Sequence, residues 1–302
     1  AGHDLAGAEF LVTGGSGGIG FETARALAAH GARVTLAARD RTKLESARAR
    51  LLAEVPDARV DEAIVDLADL ASVRTFAADF LAERDHLDVL VNNAGVMFPP
   101  LTRTADGFEL QFGTNHLAHF LLTALLFPLL RASAADVGGA GRVRVVNVSS
   151  EGHRRGGVDL GDPNFIARDY DKFVGYGQSK TANILFSREL DRRAESVGVH
   201  AFSLHPGRIA TDLGRHMTHD DMVALMERAK AASSTGMPDF KSIPQGAATT
   251  VYAAVTEELD QHGGAYLSDC ALAEPADWAR DDATAKGLWD LSESLVSEQW
   301  SP

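Results

Sequence analysis

A chain of 302 residues, 45% of them hydrophobic and 24% charged, is long enough for one large α/β domain or two small ones. A net charge of −13 excludes a nucleic-acid surface, which needs clustered Lys and Arg, so an anionic ligand must be held by local chemistry. The single cysteine, Cys270, leaves no intrachain disulfide and fits a reducing compartment.

No apolar run reaches the roughly 18 residues of a membrane helix. The longest candidate, 120–130, contains Thr123 and Pro128. No charged-then-apolar leader pattern opens the chain. The expectation is a cytoplasmic protein without a membrane partner. No linker, repeat or low-complexity tract interrupts the chain, and its one glycine cluster, 138–141, falls where a helix-to-strand loop is expected. One domain over 1–302 is expected.

Short apolar runs alternate with amphipathic stretches, the pattern of a parallel sheet wrapped by helices. A strand at 10–13 leads through 14–20 into a helix at 21–30, which Gly31 stops. A strand at 33–37 and a charged helix at 43–54 follow, then a strand at 60–65, a helix at 73–83 and a strand at 89–92. A long helical region spans 108–130, a strand 143–148, a helix 176–196 and a strand 200–205, with a seventh strand at 265–267. The first six strands read as buried runs covered on both faces. Sheets of this kind bind ligands at the carboxyl ends of their strands. There the sequence gathers the glycine loop, Ala38-Arg39, Asp66-Leu67, Asn93-Ala94-Gly95, Ser149-Ser150 and Pro206-Gly207.

Thr13-Gly14-Gly15-Ser16-Gly17-Gly18-Ile19-Gly20 joins a strand to a helix. Glycines let the backbone turn sharply and approach a pyrophosphate, whose charge then faces the helix N-terminus. Structural turns use glycine too, but the strand–loop–helix context is what the motif requires. The cofactor choice rests on the end of the second strand. An acidic side chain there accepts from the ribose 2′-hydroxyl of NAD, whereas arginine suits the 2′-phosphate of NADP. Leu36-Ala37-Ala38-Arg39-Asp40 offers a guanidinium fork and no carboxylate at position 38, which favours NADP(H) over NAD(H). An Asp40 turned inward would oppose that. Asp66 could accept from the adenine amino group, or cap the helix beginning near Leu70.

Tyr176 and Lys180 stand one helical turn apart on one face. A phenol with an ordinary pKa of about 10 is a poor acid or base near neutrality. A neighbouring ammonium, with the positive charge of an oxidised nicotinamide, lowers that pKa. Tyr176 could then protonate a carbonyl oxygen or deprotonate an alcohol. Ser149 and Ser150 end a strand at the sheet edge, where one hydroxyl can polarise the substrate oxygen. Asn115, a poor helix former inside a helical stretch, either marks a kink or has work for its amide.

Thr-Gly-x-x-x-Gly-x-Gly at 13–20, Asn92-Asn93-Ala94-Gly95, Asn115, the serine after the fifth strand, Tyr-x-x-x-Lys at 176–180 and Pro206-Gly207 occur together in one order. The chain thereby resembles the short-chain dehydrogenase/reductase family over nearly its whole length. A narrower likeness, carried by 114–120, 183–190, 205–207 and 266–270, is to the retinol-dehydrogenase-like branch, which the long Ser150-to-Tyr176 separation also suits. The resemblance implies a single-domain Rossmann-type doubly wound parallel sheet of about seven strands, helices on both faces. It implies Asn115, Ser150, Tyr176 and Lys180 as catalytic residues, Ser150 being the better match of the serine pair. Cofactor contacts are expected from Gly14, Ser16, Gly17, Gly18, Ile19 and Gly20, with Arg39, Asp66 and Leu67 on the adenosine side. Asn92 matches a residue that steadies the sheet. Asn93, Ala94, Gly95, Tyr176, Lys180, Pro206, Gly207, Ile209 and Thr211 are further expected cofactor contacts, Lys180 at the nicotinamide ribose and Ile209 and Thr211 at the carboxamide end. Many NADP members carry a basic residue where this chain has Gly17, so Arg39 alone carries the NADP(H) preference. Membrane anchoring, seen in animal retinol dehydrogenases, has no counterpart in the sequence.

Other features read as structure. His116 and His119 lack a carboxylate or cysteine to complete a metal set, and no metal is expected. Cys270 reads as a small buried residue. Arg154-Arg155 is too short to mean nucleic acid. A segment at 208–244 reads as a substrate lid, whose Met217, Met222 and Met226 either line an apolar pocket or pack a helix. Apolar residues on 176–196 suggest a seam for a homodimer or homotetramer. The expected substrate is a lipophilic ketone, aldehyde or alcohol. The alternatives are a non-catalytic NADP(H)-binding regulator of the same fold and an epimerase or dehydratase of a related one.

Overall fold

A computed structural model describes residues 4–136, 143–232 and 240–302, and within the helix His219–Ala232 the side chains at 224, 226 and 228–232 are not described. The glycine cluster expected to form a loop at 138–141 lies outside the described residues. Eight strands form one sheet in the order β3-β2-β1-β4-β5-β6-β7-β8. They are β1 (Glu9–Thr13), β2 (Arg33–Ala38), β3 (Arg59–Ile64), β4 (Val89–Asn92), β5 (Val143–Val148), β6 (Val199–His205), β7 (Tyr266–Ser268) and β8 (Ala271–Ala273). All neighbours pair in parallel except β7 and β8. The order reverses between β1 and β4, the switch point where such sheets open a crevice for ligand.

The helices are α1 (Gly18–Ala28), α2 (Arg41–Glu54), α3 (Leu70–Glu83), α4 (Leu110–Phe112), α5 (Ala118–Asp136), α6 (Lys172–Ala194), α7 (His219–Ala232), α8 (Ile243–Val255) and α9 (Asp282–Val296). Alternate residues of β1 divide between two cores. Phe10 and Val12 face Phe21, Leu27 and Ala253 of α1 and α8, while Leu11 faces Phe76, Leu121 and Leu185 of α3, α5 and α6. Period-two alternation across a sheet covered on both sides produces this split.

Aspartate caps set several helix starts: Asp40 for α2, Asp69 for α3, Asp171 for α6 and Asp281 for α9. Ser242 and Gln245 form a capping box that starts α8.

An eighth strand extends the expected sheet of about seven, because Asp269 and Cys270 both take left-handed φ (53° and 56°) and turn the chain back on β7. Four expectations need correction. Cys270 sits in that turn, half-buried rather than buried. β3 is not a buried run: as the edge strand it buries Val60 alone and leaves Arg59, Glu62 and Ile64 exposed. The helical region expected at 108–130 runs from Leu110 to Asp136, its α-helical register interrupted by a π-helical turn at Gly113–Leu117 between α4 and α5. The apolar face of α6 is no open oligomer seam, since α9 packs along it and Leu288 and Trp289 join its core. The helices α7 to α9 have no counterpart in the sequence reading.

Candidate active site

The loop after β1 is built to let its backbone face a ligand. Gly14 and Gly18 take φ of +69° and +54°, which favours glycine. Gly17, extended at φ −175°, precedes α1 and gives it no side-chain cap. The first N–H groups of α1 therefore meet no capping side chain, as an anion-binding helix start requires. The loop is braced from beneath. The Asn93 and Ala94 N–H groups donate to Thr13 Oγ1 at 2.9 and 3.0 Å, and Asn93 Nδ2 donates to the Thr13 carbonyl at 2.8 Å. A methyl at Gly20 would stand 2.5 Å from both Asn93 Nδ2 and the Gly14 carbonyl oxygen. These residues fit a pyrophosphate laid on the start of α1.

Arg39 is exposed just past β2, whose Ala37 carbonyl receives the Gly14 N–H at 2.7 Å. Asp40 does not turn inward: its carboxylate accepts from the Lys43 N–H at 3.1 Å and caps α2. Asp66 is not the cap of α3, a place taken by Asp69; it accepts from the Ala68 N–H at 2.9 Å, beside buried Leu67. Across the crevice, Gly207 turns at φ +94° after Pro206, Ile209 fills the space over Gly246, and Thr211 stands 3.5 Å from where a Gly18 side chain would begin. Asn92 is buried beneath the edge and donates to Thr123 Oγ1 and Asn147 Oδ1.

The four residues proposed for chemistry come from three places: Asn115 from the turn before α5, Ser150 from the end of β5, and Tyr176 and Lys180 from α6. Asn115 lies on the π turn, a feature frequent at functional sites. Its Oδ1 accepts from the Val96 N–H at 2.8 Å, while its Nδ2 donates to the Val96 carbonyl and to Ser179 Oγ on α6. Its amide thus ties the 95–96 segment to the helix that carries Tyr176. Ser149 Oγ is spent donating to the Lys180 carbonyl at 2.7 Å. Ser150 Oγ instead accepts from the Gly152 N–H at 3.0 Å and adjoins Tyr176, since a methyl at Gly152 would stand 3.4 Å from Ser150 Oγ and 2.9 Å from the Tyr176 ring. Lys180 Nζ donates to the Val148 carbonyl at 2.9 Å and lies 5.8 Å from the Tyr176 ring centroid. Gly95 keeps a gap beside Asn115 Oδ1 and Lys180 Nζ, which would lie 3.0 and 3.6 Å from a methyl there.

Burial dominates the electrostatics. It lowers the Lys180 ammonium from 10.5 to about 8. It pushes the Tyr176 phenol up, against the Ser150 hydrogen bond and the charge of Arg155, which favour the phenolate. The sequence reading gave a downward pull to the ammonium of Lys180, whose Nζ lies 5.8 Å from the Tyr176 ring centroid; the charge of Arg155 acts on the phenol in the same direction.

Several contributors were missed. Thr13 and His119 brace the loop, and Gly152 admits the Tyr176 ring, which would lie 2.9 Å from a methyl at that position. Only Thr13, within the loop motif, carried a sequence signal. His116 and His119 are not a pair facing one ion: His116 Nε2 meets Ser292 Oγ at 2.8 Å and His119 Nε2 meets Thr13 Oγ1 at 2.9 Å.

The segment expected as a lid holds a turn at Asp212–His216 and α7, and its residues 233–239 lie outside the described ones. Met217 and Leu225 pack on an aromatic group of Phe98, Phe173 and Tyr176, joined by Met97. Met222 is 47% exposed and lines nothing there, and the Met226 side chain lies outside the described residues. Lys172 Nζ binds Asp221 at 2.6 Å, pinning α7 to the first turn of α6.

The model of the short chain dehydrogenase family matches residues 9–222. Retinol dehydrogenase 12 of Mus musculus is 42% identical over 296 residues, 98% of this chain and 88% of that protein. Among solved structures, an uncharacterised protein from Mycobacterium Paratuberculosis is 34% identical with a TM-score of 0.76, covering 99% of this chain and 97% of that one. The Pseudomonas aeruginosa RhlG/NADP active-site complex is 28% identical with a TM-score of 0.67, covering 88% and 96%.

The expectation of a cytoplasmic protein with no membrane partner does not stand. The relatives are retinol dehydrogenases, the branch in which membrane anchoring occurs. Moreover, Leu110–Asp136 forms a helical stretch of 27 residues with mean hydropathy 1.6, long and apolar enough to cross a membrane, though 78% of its apolar window is buried in the fold. Thr123 does not interrupt it, because its hydroxyl donates to the His119 carbonyl within the helix at 2.7 Å, and Pro128 is accommodated inside α5. The chain belongs to the short chain dehydrogenase family, in its retinol-dehydrogenase-like branch, and is a nicotinamide-dependent oxidoreductase of CH–OH and C=O groups.

Proposed function

We propose that the chain is an NADP(H)-dependent oxidoreductase of lipophilic ketones, aldehydes or the corresponding alcohols, with Tyr176 as its general acid/base. The observation that carries the proposal is the placement of buried Tyr176 beside Ser150 at the carboxyl edge of the sheet, both adjoining Gly152, with Lys180 one helical turn along α6. A bound nicotinamide supplies or takes the hydride. Gly14, Gly18 and Gly20 let the loop hold the pyrophosphate, Arg39 meets the 2′-phosphate, and Ile209 and Thr211 flank the carboxamide end. Ser150 donates to the substrate oxygen and orients the phenol. Tyr176, kept protonated near neutrality by burial, gives its proton to the carbonyl oxygen in reduction and takes one from the alcohol in oxidation. Lys180 holds the nicotinamide ribose, and Asn115 shapes the way by which Lys180 regains a proton. Met97, Met217 and Leu225 beside Tyr176 give the substrate an apolar wall, and 208–244 acts as its lid.

A panel of ketones, aldehydes and alcohols, including retinal and retinol, assayed with both cofactors tests the reading. Turnover with NADPH is expected, and Tyr176→Phe abolishes it while leaving NADPH affinity within a few-fold. Inactivity across the panel with tight NADPH binding would replace the enzyme by a non-catalytic NADP(H)-binding regulator.

A further inference from the structure

The turn Glu151–Arg155 follows Ser150 and lies flat on α6 because glycines face one another across the contact. A methyl at Gly177 would meet the Gly152 carbonyl at 2.8 Å and Arg155 Cβ at 3.1 Å, so α6 and the turn approach at the level of Tyr176. From there the half-buried Arg155 sets its guanidinium 5.4 Å from the Phe173 ring centroid and 5.8 Å from that of Phe98. Those two rings lie 4.6 Å apart, and Phe98 stands edge-on to Tyr176 at 5.2 Å. A guanidinium over aromatic faces is attracted by their quadrupole and carries a charge that does not titrate.

We propose that Arg155 is a positioning residue of the hydride-transfer site: it clamps the Phe98–Phe173 wall behind the Tyr176 ring and keeps a permanent positive charge beside the phenol. The proposal rests on the reading of Tyr176 as acid/base. Other charged groups near the phenol are directed elsewhere. On the same turn, Glu151 pairs with Arg154 at 2.8 Å and lies 3.6 Å from His205, and His153 is held by the Ser150 carbonyl and the Ala276 N–H. At the start of α6, Lys172 pairs with Asp221 of α7. Lys172 Nζ also lies 6.0 Å from the Phe173 ring centroid, and the apolar side chains packed on the aromatic group are Met97, Met217 and Leu225. Lys180 is close, but burial brings its ammonium down to about 8, so it loses its charge in the alkaline range where alcohol oxidation draws on phenolate. Arg155 retains its charge there.

Difference ultraviolet spectroscopy isolates the ionisation of the one tyrosine: the NADP+-saturated protein against Tyr176→Phe, and Arg155→Met against Arg155→Met/Tyr176→Phe. The tyrosinate signal is expected to begin about one pH unit higher without the guanidinium, the scale of one nearby opposite charge. Arg155→Lys, which keeps the charge and loses the planar stack, is expected to begin where the wild type does, with turnover reduced several-fold. Arg155→Gln repeats the comparison should Met impair folding. Onset at the same pH in Arg155→Met, or in Arg155→Gln, and in wild type overturns the proposal. Panel turnover by Tyr176→Phe separates the two claims: retained turnover removes the acid/base reading, and the role of Arg155 with it. Lost turnover with an unmoved onset overturns Arg155 alone.

Discussion

Gly152→Ala probes the placement of the acid/base tyrosine without touching its chemistry. The new methyl would stand 2.9 Å from Tyr176 Cδ1 and Cε1 and 3.4 Å from Ser150 Oγ. Carbon atoms pack at about 3.5–4.0 Å, so the ring and the turn must part by roughly 0.6–1 Å. The ring cannot simply retreat, because Phe98 stands edge-on at 5.2 Å and is backed by Phe173 at 4.6 Å. Overpacking of this kind costs about 1–3 kcal/mol of stability. A displacement near 1 Å at a reacting group costs roughly a hundredfold in rate. The assay is kcat for an aldehyde found in the panel, beside NADPH affinity by fluorescence and the melting temperature. A fall in kcat of roughly 30- to 100-fold is expected, with NADPH binding changed less than about twofold, since the glycine loop lies on another element. A folded Gly152→Ala enzyme with kcat within about threefold of wild type would refute the argument that this contact holds the phenol in place.

Arg39→Asp is expected to weaken NADPH roughly tenfold or more while leaving NADH binding nearly unchanged, as loss of a charge-assisted phosphate contact predicts; an unaltered ratio of the two constants rejects the phosphate role. For Lys180, burial lowers the folded pKa from 10.5 to about 8, so the unfolded chain binds the proton more tightly between those values. Stability relative to Lys180→Met should therefore rise as pH climbs through that window, by up to about 3 kcal/mol. Urea unfolding of both proteins near the two ends measures it, and a constant difference contradicts it. Gly20→Ala drives a methyl to 2.5 Å from backbone at Gly14, so the loop must open. NADPH affinity should drop roughly tenfold with a lower melting temperature and kcat at saturating cofactor preserved; unchanged affinity shows that the loop tolerates the opening.

The strands were legible because a sheet buried on both faces writes continuous apolar runs, and the site because each motif follows a strand. What failed shares a physical cause. β3 is charged since an edge strand needs little apolar cover, so its half-buried Asp61 and exposed Glu62 mislead a reading that treats all strands alike. The break at 113–117 is silent in hydropathy, because a π turn changes hydrogen-bond register and leaves the residues buried. Arg155 looked like half of a trivial basic pair; only folding shows Arg154 reaching for Glu151 and the Glu274 carbonyl while Arg155 turns to the aromatic wall. Chemistry written as a motif was readable, and chemistry made by two turns meeting was not.

The π turn ties distant parts of the chain together. His119 Nδ1 meets the Asn115 carbonyl at 3.0 Å and its Nε2 meets Thr13 Oγ1 at 2.9 Å, linking the Asn115 turn to the base of the glycine loop. One turn back, His116 Nε2 meets Ser292 Oγ on α9 at 2.8 Å. Since a carbonyl only accepts, His119 donates from Nδ1 and accepts the threonine proton at Nε2, which requires a neutral ring. Burial enforces that form, lowering His119 to about 4 and His116 to about 3. Neither ring charges at physiological pH, so the linkage is a fixed brace rather than a proton switch. The C-terminal helix therefore bears on the catalytic edge through position alone: it covers α6, buttresses the turn that carries Asn115, and holds that amide against Val96 and Ser179.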